Sequence, residues 1–308
     1  MIVITGASSF TGFHFTLEIA KYKKIICFSH KKFSSYKDLK KTRLQILKKN
    51  KNIKLIFNCS FGSEKMIRVI KSYKNICFCF HHAQTLNAKD DFKFSFLESF
   101  NQDLYNIDNF FKKCSNNIKK IIFSSSIFQK EHSKQLIDFN KYSLNKSITL
   151  ETLKFFCHKF NIRLINFVIS NPFGVLEDRR YSFYLLNNWI NKSTPIVGSP
   201  DFIREYIYID DLKKLYFNAT KLNLNKNYKE IKPRGLKMTN LKFANFLKNN
   251  FTKYISHKIY LSVKKSYSTE PKNISFNGNS NYNISNSKIK EYFEYYLNHN
   301  YKNNLSKN

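Results

Sequence analysis

The sequence predicts an α/β fold: a doubly wound parallel sheet followed by a smaller C-terminal α/β lobe. Apolar runs of four to six residues alternate with longer helical patterns through the first half of the 308-residue chain. The runs are continuously apolar, which is typical of strands buried on both faces of a parallel sheet. Right-handed crossovers between such strands place helices on both faces of the sheet.

Six strands are expected near residues 1–5, 24–28, 53–57, 76–80, 119–124 and 162–168. Helices are expected between them, near residues 11–22, 37–50, 63–73, 92–115 and 142–160. This alternation is Rossmann-like and predicts a dinucleotide-binding domain over residues 1–170.

The pattern becomes shorter and mixed after residue 170. It predicts helices near 181–192, 211–222 and 239–250, and strands near 204–209 and 257–263. We interpret residues 171–298 as a smaller substrate-binding lobe, some elements of which pack back on the first sheet. Residues 266–287 are rich in Ser and Asn and predict a loop, and residues 299–308 predict a disordered tail.

The formal net charge is +32, which could indicate a surface for nucleic acid. Only seven of the 53 basic residues are Arg, however, and the Lys residues are scattered along the whole chain together with Asn, Ile, Phe and Tyr. A nucleic-acid site more often concentrates basic residues on one face. The charge therefore favours a solvated surface, and nucleic acid is not the expected partner.

No apolar stretch approaches the roughly 20 residues needed to span a bilayer. The first residues predict a strand and show no signal-peptide pattern, which favours a cytoplasmic location. The cysteines lie mostly in apolar runs without metal-ligand spacing, so we expect reduced core residues and no metal site. They are Cys27, Cys59, Cys77, Cys79, Cys114 and Cys157.

Two of the seven glycines, Gly6 and Gly12, follow the first strand directly, and a helix begins at once. A glycine at the strand end permits a tight turn, and the helix N-terminus offers N–H groups to a pyrophosphate. Ser9 stands where a middle glycine is expected. The residues predicted to line the cofactor turn are Gly6, Ser8, Ser9, Phe10, Thr11 and Gly12.

The second strand ends in Phe28-Ser29-His30-Lys31-Lys32, which contains no carboxylate to bind an adenosine ribose 2′-OH. Basic residues at this position accommodate a 2′-phosphate, so Lys31 favours NADP over NAD as the cofactor. In a chain so rich in Lys, Lys31 could equally be a bystander.

Tyr142 and Lys146 are four residues apart on a predicted helix, which places both on one face and lets the ammonium stabilise a phenolate. The spacing occurs five times in this chain, so context decides. Only Tyr142 opens a long helix that follows a strand ending in hydroxyls, Ser124 to Ser126. A serine there could bind a substrate oxygen while Tyr142 exchanges its proton.

Seven landmarks in order resemble the extended short-chain dehydrogenase/reductase family, the NAD(P)-dependent sugar-nucleotide epimerases and dehydratases. They are Gly6–Gly12, His82-Ala83, Asn101, Ser124–Ser126, Tyr142/Lys146 with Glu151, Asn171–Gly174, and Arg204–Asp211. The resemblance covers about residues 1–250.

The resemblance implies that Tyr142 is the acid/base, that Lys146 holds the nicotinamide ribose and that Ser126 orients the reacting C–O group. It further implies Asn58 near the adenine and Ala83 along the cofactor. Asn171 and Arg204 would reach the phosphates of the substrate. Asp210 and Asp211 are expected to be structural, as carboxylates near a helix start.

Several residues depart from the family pattern. Ser9 replaces the middle glycine, and Val168 stands where an Arg is common. The segment between Ser126 and Tyr142 has only 15 residues. Sugar 4,6-dehydratases of the family carry Asp-Glu after the active-site hydroxyl residue, whereas Ile127 and Phe128 follow here, which disfavours dehydration.

The sequence therefore predicts an NAD(P)-dependent enzyme that acts on a nucleotide-linked sugar, as a 4-epimerase or a ketosugar reductase. The alternative is a catalytically weak protein of the same fold that binds RNA or a protein partner through its basic surface. The resemblance suggests a homodimer through the helices near 92–115 and 142–160. Residues that could serve that face or the core are Phe110, Phe111, Leu150, Leu153 and Phe155.

Overall fold

The computed structural model describes residues 1–82, 95–133, 137, 138, 140–264, 268, 270–276 and 281–298. The chain forms two compact units, Met1–Ile169 with Asp210–Pro233 and Ser170–Ile209 with Arg234–Asn308. The expected tail at residues 299–308 lies outside the described residues.

The strands are β1 Ile2–Thr5, β2 Ile25–Phe28, β3 Ile53–Ile56, β4 Ile76–Phe80, β5 Ile118–Ser126, β6 Arg163–Ile169, β7 Asn171–Phe173, β8 Ile196–Gly198, β9 Ile203–Tyr208, β10 Tyr228–Ile231, β11 Leu236–Thr239, β12 Ser262–Lys264 and β13 Asn273–Ile274. The helices are α1 Phe10–Ala20, α2 Asp38–Lys48, α3 Glu64–Lys71, α4 Phe96–Asp103, α5 Ile107–Cys114, α6 Lys130–Ser133, α7 Lys141–Lys159, α8 Tyr181–Ile190, α9 Ile209–Lys221, α10 Asn240–Phe251 and α11 Asn286–Asn298.

The first unit contains a seven-stranded sheet in the order β10-β6-β5-β4-β1-β2-β3, and all its pairs are parallel. The expected Rossmann-like α/β fold is confirmed. The chain runs outward from β1 to β3 on one side and then returns to β4 on the other. This reversal makes the carboxyl ends of β1 and β4 the switch point, where open α/β sheets bind their ligands.

The helix expected over residues 92–115 is two helices, because Asn106 adopts a left-handed φ of 54° between α4 and α5. The aromatic and aliphatic residues considered for a dimer face differ in burial. Phe110, Phe111, Leu150 and Leu153 are fully buried in the core of the first unit. Phe155 is 61% exposed on α7, and the homodimer itself stays a prediction.

The second unit contains a sheet of β11, β9 and β13 with β7 beside β9, and a separate pair of β12 and β8. Its core is strongly aromatic and packs α8, α10 and α11 around Trp189 and Phe243. The strand expected at 257–263 is wrong in extent, since only Ser262–Lys264 pair with β8. Helix α11 is absent from the sequence prediction, although its buried residues recur at helical spacing.

All six cysteines are free and buried, as expected for core thiols. No helix among the described residues combines the length and apolarity needed to cross a bilayer.

Candidate active site

The turn after β1 is built around two glycines that cannot carry a side chain. Gly6 has a φ of +71°, and a Cβ there would lie 2.1 Å from the carbonyl oxygen of His81. A Cβ on Gly12 would lie 2.3 Å from the carbonyl oxygen of Gly6. The turn therefore brings β1, the end of β4 and the first turn of α1 into direct backbone contact.

Ser9, which replaces the middle glycine, is the N-cap of α1. Its φ of −72° and ψ of 162° are extended values that any residue adopts, so the backbone does not require glycine. The Ser9 hydroxyl accepts a hydrogen bond from the Gly12 N–H at 3.1 Å and donates to the Gly6 carbonyl at 2.9 Å. The side chain therefore stabilises the turn from within.

Arg43 of α2 supports the same turn and was not singled out from the sequence. Its guanidinium is fully buried, donates to the Ser8 carbonyl at 3.1 Å and lies 5.8 Å from the centre of the Phe10 ring. Phe10 is itself buried, so its side chain belongs to the core. Any contact between Phe10 and a cofactor would be through its backbone.

His81 connects the turn to strand β5. The neighbouring His82 was singled out from the sequence as a landmark, and His81 was not. Its Nε2 lies 2.9 Å from the Thr11 hydroxyl and 3.2 Å from the Ser9 hydroxyl. Its Nδ1 lies 2.5 Å from the Ser124 hydroxyl. Burial is the main cause that lowers the pKa of His81 to about 3, and the charge of Lys146 contributes to the same shift. The imidazole is therefore neutral at neutral pH.

His82 faces the other side of the same strand end. Its Nδ1 lies 2.7 Å from the Thr5 hydroxyl, and its Nε2 lies 2.7 Å from the carbonyl oxygen of Asp103. The pair of histidines therefore joins β1, β4 and α4 around the carboxyl end of the sheet.

Ser126 is the last residue of β5 and is buried. Its hydroxyl accepts from the Phe128 N–H at 3.2 Å, and its own N–H donates to the Gln129 side-chain oxygen at 3.0 Å. These bonds hold the hydroxyl at the carboxyl edge of the sheet, where the sequence placed it.

Helix α7 begins with a reciprocal cap that fixes the position of Tyr142. The Asn140 side chain accepts from the Ser143 N–H at 2.8 Å, and the Ser143 hydroxyl accepts from the Asn140 N–H at 3.3 Å. Tyr142 therefore lies in the first turn, partly exposed, and Lys146 follows one turn later. Neighbouring Asn145 donates to Asp103 at 3.0 Å, which ties α7 to α4.

The Lys146 ammonium is buried at the carboxyl end of β5. It donates to the Ser124 carbonyl at 2.9 Å and lies 5.0 Å from the centre of the Phe123 ring. Burial lowers the pKa of Lys146 to about 8, and the charge of Asp103 partly opposes the shift. Ser124 thus joins two groups, His81 through its hydroxyl and Lys146 through its carbonyl.

The remaining predicted cofactor residues lie at the ends of β2 and β3. The Asn58 N–H donates to the Lys31 carbonyl at 3.2 Å, and both residues are exposed. Ala83 lies outside the described residues. The roles of all three stay predictions.

The two predicted substrate residues belong to the second unit. The Asn171 side-chain amide donates to the Glu205 carbonyl at 3.2 Å. Arg204 is buried and forms an ion pair with Glu270 at 2.8 Å, and it also donates to the Pro271 carbonyl at 3.1 Å. These bonds occupy much of its guanidinium, so its role toward phosphate stays a prediction.

Asp210, expected to be structural, lies in the first turn of α9 and forms an ion pair with Lys213. One group of potential metal ligands occurs among the described residues, Glu131, His132 and Glu230, with ligand atoms within 4.8 Å of one another. Lys232 pairs with Glu230 at 2.5 Å and competes with any cation there. We assign it no metal.

Comparison with known proteins identifies a family and a fold for the chain. The model of the NAD dependent epimerase/dehydratase family matches residues 2–231. A curated relative, dTDP-4-dehydro-6-deoxyglucose reductase from Escherichia coli, is 31% identical over 121 residues, which are 35% of this chain and 38% of that protein. The match thus spans well under half of the relative's length.

Solved structures of similar fold cover nearly the whole chain. A UDP-N-acetylglucosamine 4-epimerase from Methanobrevibacter ruminantium, in complex with UDP-N-acetylmuramic acid, has a TM-score of 0.75 at 17% identity and covers 97% of this chain and 98% of its own. A UDP-glucuronic acid 4-epimerase from Bacillus cereus, in complex with UDP-glucuronic acid and NAD, has a TM-score of 0.74 at 16% identity and covers 96% and 98%. At these identities the likeness shows the fold.

Proposed function

The chain belongs to the NAD dependent epimerase/dehydratase family, and on that premise we propose that it is an enzyme that acts on a nucleotide-linked sugar, as a 4-epimerase or a ketosugar reductase. The observation that carries the proposal is Lys146. Its ammonium is buried at the carboxyl end of β5, one helical turn from Tyr142, at the same sheet edge as the glycine turn. Burial of an ammonium is costly, and charged groups with a strongly shifted pKa are concentrated at functional sites.

Tyr142 is the proposed acid/base. Tyr142 is partly exposed. In this proposal its phenol exchanges a proton with a sugar hydroxyl, and the charge of Lys146, one helical turn away, would stabilise the phenolate. Ser126 is proposed to bind the oxygen of the reacting C–O group. Tyr142 takes the hydroxyl proton when the carbon is oxidised and returns it when the carbon is reduced.

The turn after β1 fits a dinucleotide. A Cβ on Gly6 or Gly12 would collide with backbone atoms, so the turn keeps its surface free of side chains at these two points. The Ser9 side chain bonds inward, and the N-terminus of α1 offers N–H groups to a pyrophosphate. When bound there, the nicotinamide ring supplies or accepts the hydride.

We propose NADP as the preferred dinucleotide. No carboxylate follows β2, and the exposed Lys31 stands where a 2′-phosphate would be bound. Replacement of Lys31 by Ala is expected to reduce a preference for NADPH over NADH, and Lys24→Ala, an exposed change before β2, should leave it unchanged.

Dehydration is the less favoured chemistry. Ile127 is fully buried and apolar, and neither it nor Phe128 can protonate a leaving hydroxyl. The reaction proposed for this site is therefore a hydride transfer at one carbon. If the cofactor is released after each turnover, the enzyme is a ketosugar reductase. If the cofactor stays bound and the keto sugar rotates before the hydride returns, the enzyme is a 4-epimerase.

The test combines binding and turnover. NADH and NADPH are titrated into the wild type, Tyr142→Phe and Tyr260→Phe, following nicotinamide fluorescence. Tyr260 also has a Lys four residues later, but it is exposed and lies on a loop, so it is the matched control. We expect all three proteins to bind one dinucleotide with the same Kd.

Turnover is then measured with 4-keto and 4-hydroxy sugars linked to UDP or dTDP, by NADPH oxidation and by NMR of the epimers. Loss of a general acid/base costs about 10²–10⁴ in rate. Tyr142→Phe should lose at least about 100-fold, and Tyr260→Phe should match the wild type. Failure of the wild type to bind either dinucleotide would refute the proposal and favour the RNA- or protein-binding alternative.

A further inference from the structure

A cavity lies at the edge of the main sheet opposite to the candidate active site. Its volume is about 380 Å³, and it is lined by residues from the starts of β1, β4, β5 and β6 and from the end of α9. These four strands are adjacent in the sheet, so their amino ends form one continuous floor. Along β5, Lys120 of this cavity and Ser126 are six residues apart, or roughly 20 Å.

The lining is strongly cationic. Five side chains are Lys or Arg, and none of the described lining residues is Asp or Glu. The five come from four separate stretches of the chain, and they are Lys23, Lys119, Lys120, Arg163 and Lys221. Like charges brought together by tertiary structure repel one another, so an anion placed between them would be favoured.

Two of these cations are engaged within the protein. The Lys120 ammonium is buried and donates to the carbonyls of Ala219, Thr220 and Leu222 at 3.2, 2.9 and 2.8 Å, which caps the end of α9. Lys221 lies 4.0 Å from the centre of the Phe217 ring. These contacts fix the wall of the cavity.

The other three cations stand at its mouth. Lys23 and Lys119 are exposed and Arg163 is half-buried, and no carboxylate forms an ion pair with any of them among the described residues. Burial lowers the pKa of Lys120, and the charges of Lys119 and Arg163 lower it as well. The mouth thus presents three cations that form no ion pair with a carboxylate among the described residues.

From this juxtaposition we propose that the cavity at the amino edge of the sheet binds a small phosphorylated anion, held by Lys23, Lys119 and Arg163. The volume is at the lower end of the range for small-molecule sites, about 300–1,000 Å³, and suits a metabolite of one or two phosphate groups. The planar guanidinium of Arg163 can donate two parallel hydrogen bonds to phosphate oxygens, and the two lysine ammonium groups add positive charge. The site is separate from the proposed active site.

The probe is inorganic pyrophosphate, titrated into the full chain by calorimetry at physiological salt. The test variant is Lys23→Gln/Lys119→Gln, because both side chains are exposed and their loss should not disturb the fold. The control is Lys237→Gln/Lys242→Gln, which removes two exposed charges from the second unit. We expect the Kd to rise at least tenfold in the test variant and less than twofold in the control.

One further variant and one competitor separate the site from other sources of binding. Arg163→Gln should weaken binding as the double variant does, whereas saturating NADPH, which would occupy the turn after β1, should leave pyrophosphate binding to the wild type unchanged. Equal losses in the test and control doubles would show general attraction to the net charge and overturn the proposal. Loss of pyrophosphate binding in the presence of NADPH would place pyrophosphate at the cofactor turn and also overturn it.

Nucleic acid is the competing occupant, and a mixed oligonucleotide is titrated in parallel. If Lys23→Gln/Lys119→Gln weakens oligonucleotide binding and leaves pyrophosphate binding unchanged, the cavity is part of a nucleic-acid surface and the proposal fails. NADPH binding by the same double variant should equal that of the wild type, which distinguishes failure of this proposal from failure of the proposed function.

Discussion

Replacing Lys146 with methionine is expected to change how the stability of the protein depends on pH. Burial lowers the pKa of Lys146 from 10.5 to about 8 in the folded state. Between these two values the unfolded chain binds more protons than the folded one, so the stability of the wild type rises with pH through this window. Methionine keeps most of the apolar stem and has no proton to bind.

The magnitude follows from the shift. A difference of 2.5 pKa units, at 1.36 kcal/mol per unit, destabilises the folded wild type by about 3 kcal/mol near pH 7 and by about 2 kcal/mol near pH 9. The free energy of unfolding of the wild type should therefore rise by about 1 kcal/mol relative to that of Lys146→Met between pH 7 and pH 9. The lost hydrogen bond to the Ser124 carbonyl adds an offset of about 1 kcal/mol that hardly varies with pH.

The assay is urea unfolding of both proteins near pH 7 and near pH 9, with Lys159→Met as the control. Lys159 lies on the same helix and is exposed, so its replacement should give the same difference from the wild type at both values. If the unfolding free energies of the wild type and Lys146→Met change in parallel between the two pH values, the ammonium is solvated and the reasoning is refuted.

Three further outcomes are expected. Gly12→Ala should abolish dinucleotide binding, measured by nicotinamide fluorescence, because the new Cβ would lie 2.3 Å from the Gly6 carbonyl. Ser9→Ala and Ser63→Ala each remove an N-cap and should each cost about 1 kcal/mol in urea unfolding, but only Ser9→Ala should also weaken dinucleotide binding. Burial raises the pKa of Glu177 from 4.5 to about 7, so the folded state binds the extra proton and the stability of the wild type falls as pH rises through this window. Glu177→Gln should therefore gain on the wild type between pH 5 and pH 8 in thermal unfolding, and equal changes in both proteins would count against a neutral buried carboxyl.

The residues proposed for catalysis could be selected from the sequence because their signals are local. A glycine pair after an apolar run, and a Tyr and a Lys one turn apart behind an asparagine cap, depend on residues close together in the chain. The structure brings the Lys146 ammonium to the Ser124 carbonyl, a contact that the sequence did not predict. Helix α11 had a local signal as well, in Ile289, Tyr292, Phe293 and Tyr296 at helical spacing.

Other parts of the fold carried no such signal. Strand β10 reads Tyr-Lys-Glu-Ile and is half exposed, because an edge strand of a sheet need not be apolar. It joins the first sheet beside β6 through backbone pairing with residues more than 60 positions earlier. The side chains of β10 do not indicate which strand its backbone pairs with, so only the structure could show that its neighbour is β6.

The sequence by itself determined the order of strands β1 to β6, the glycine turn after β1 and the choice of Tyr142 as the proposed acid/base, since apolar periodicity, glycine and helix caps act over a few residues. Only the tertiary structure decided what supports them. His81 meets Ser9, Thr11 and Ser124, and Arg43 meets the Ser8 carbonyl, across separations of 35 to 72 residues. The packing of the elements determines these contacts, because a buried polar group must form a hydrogen bond and its partner depends on which groups the fold brings close to it.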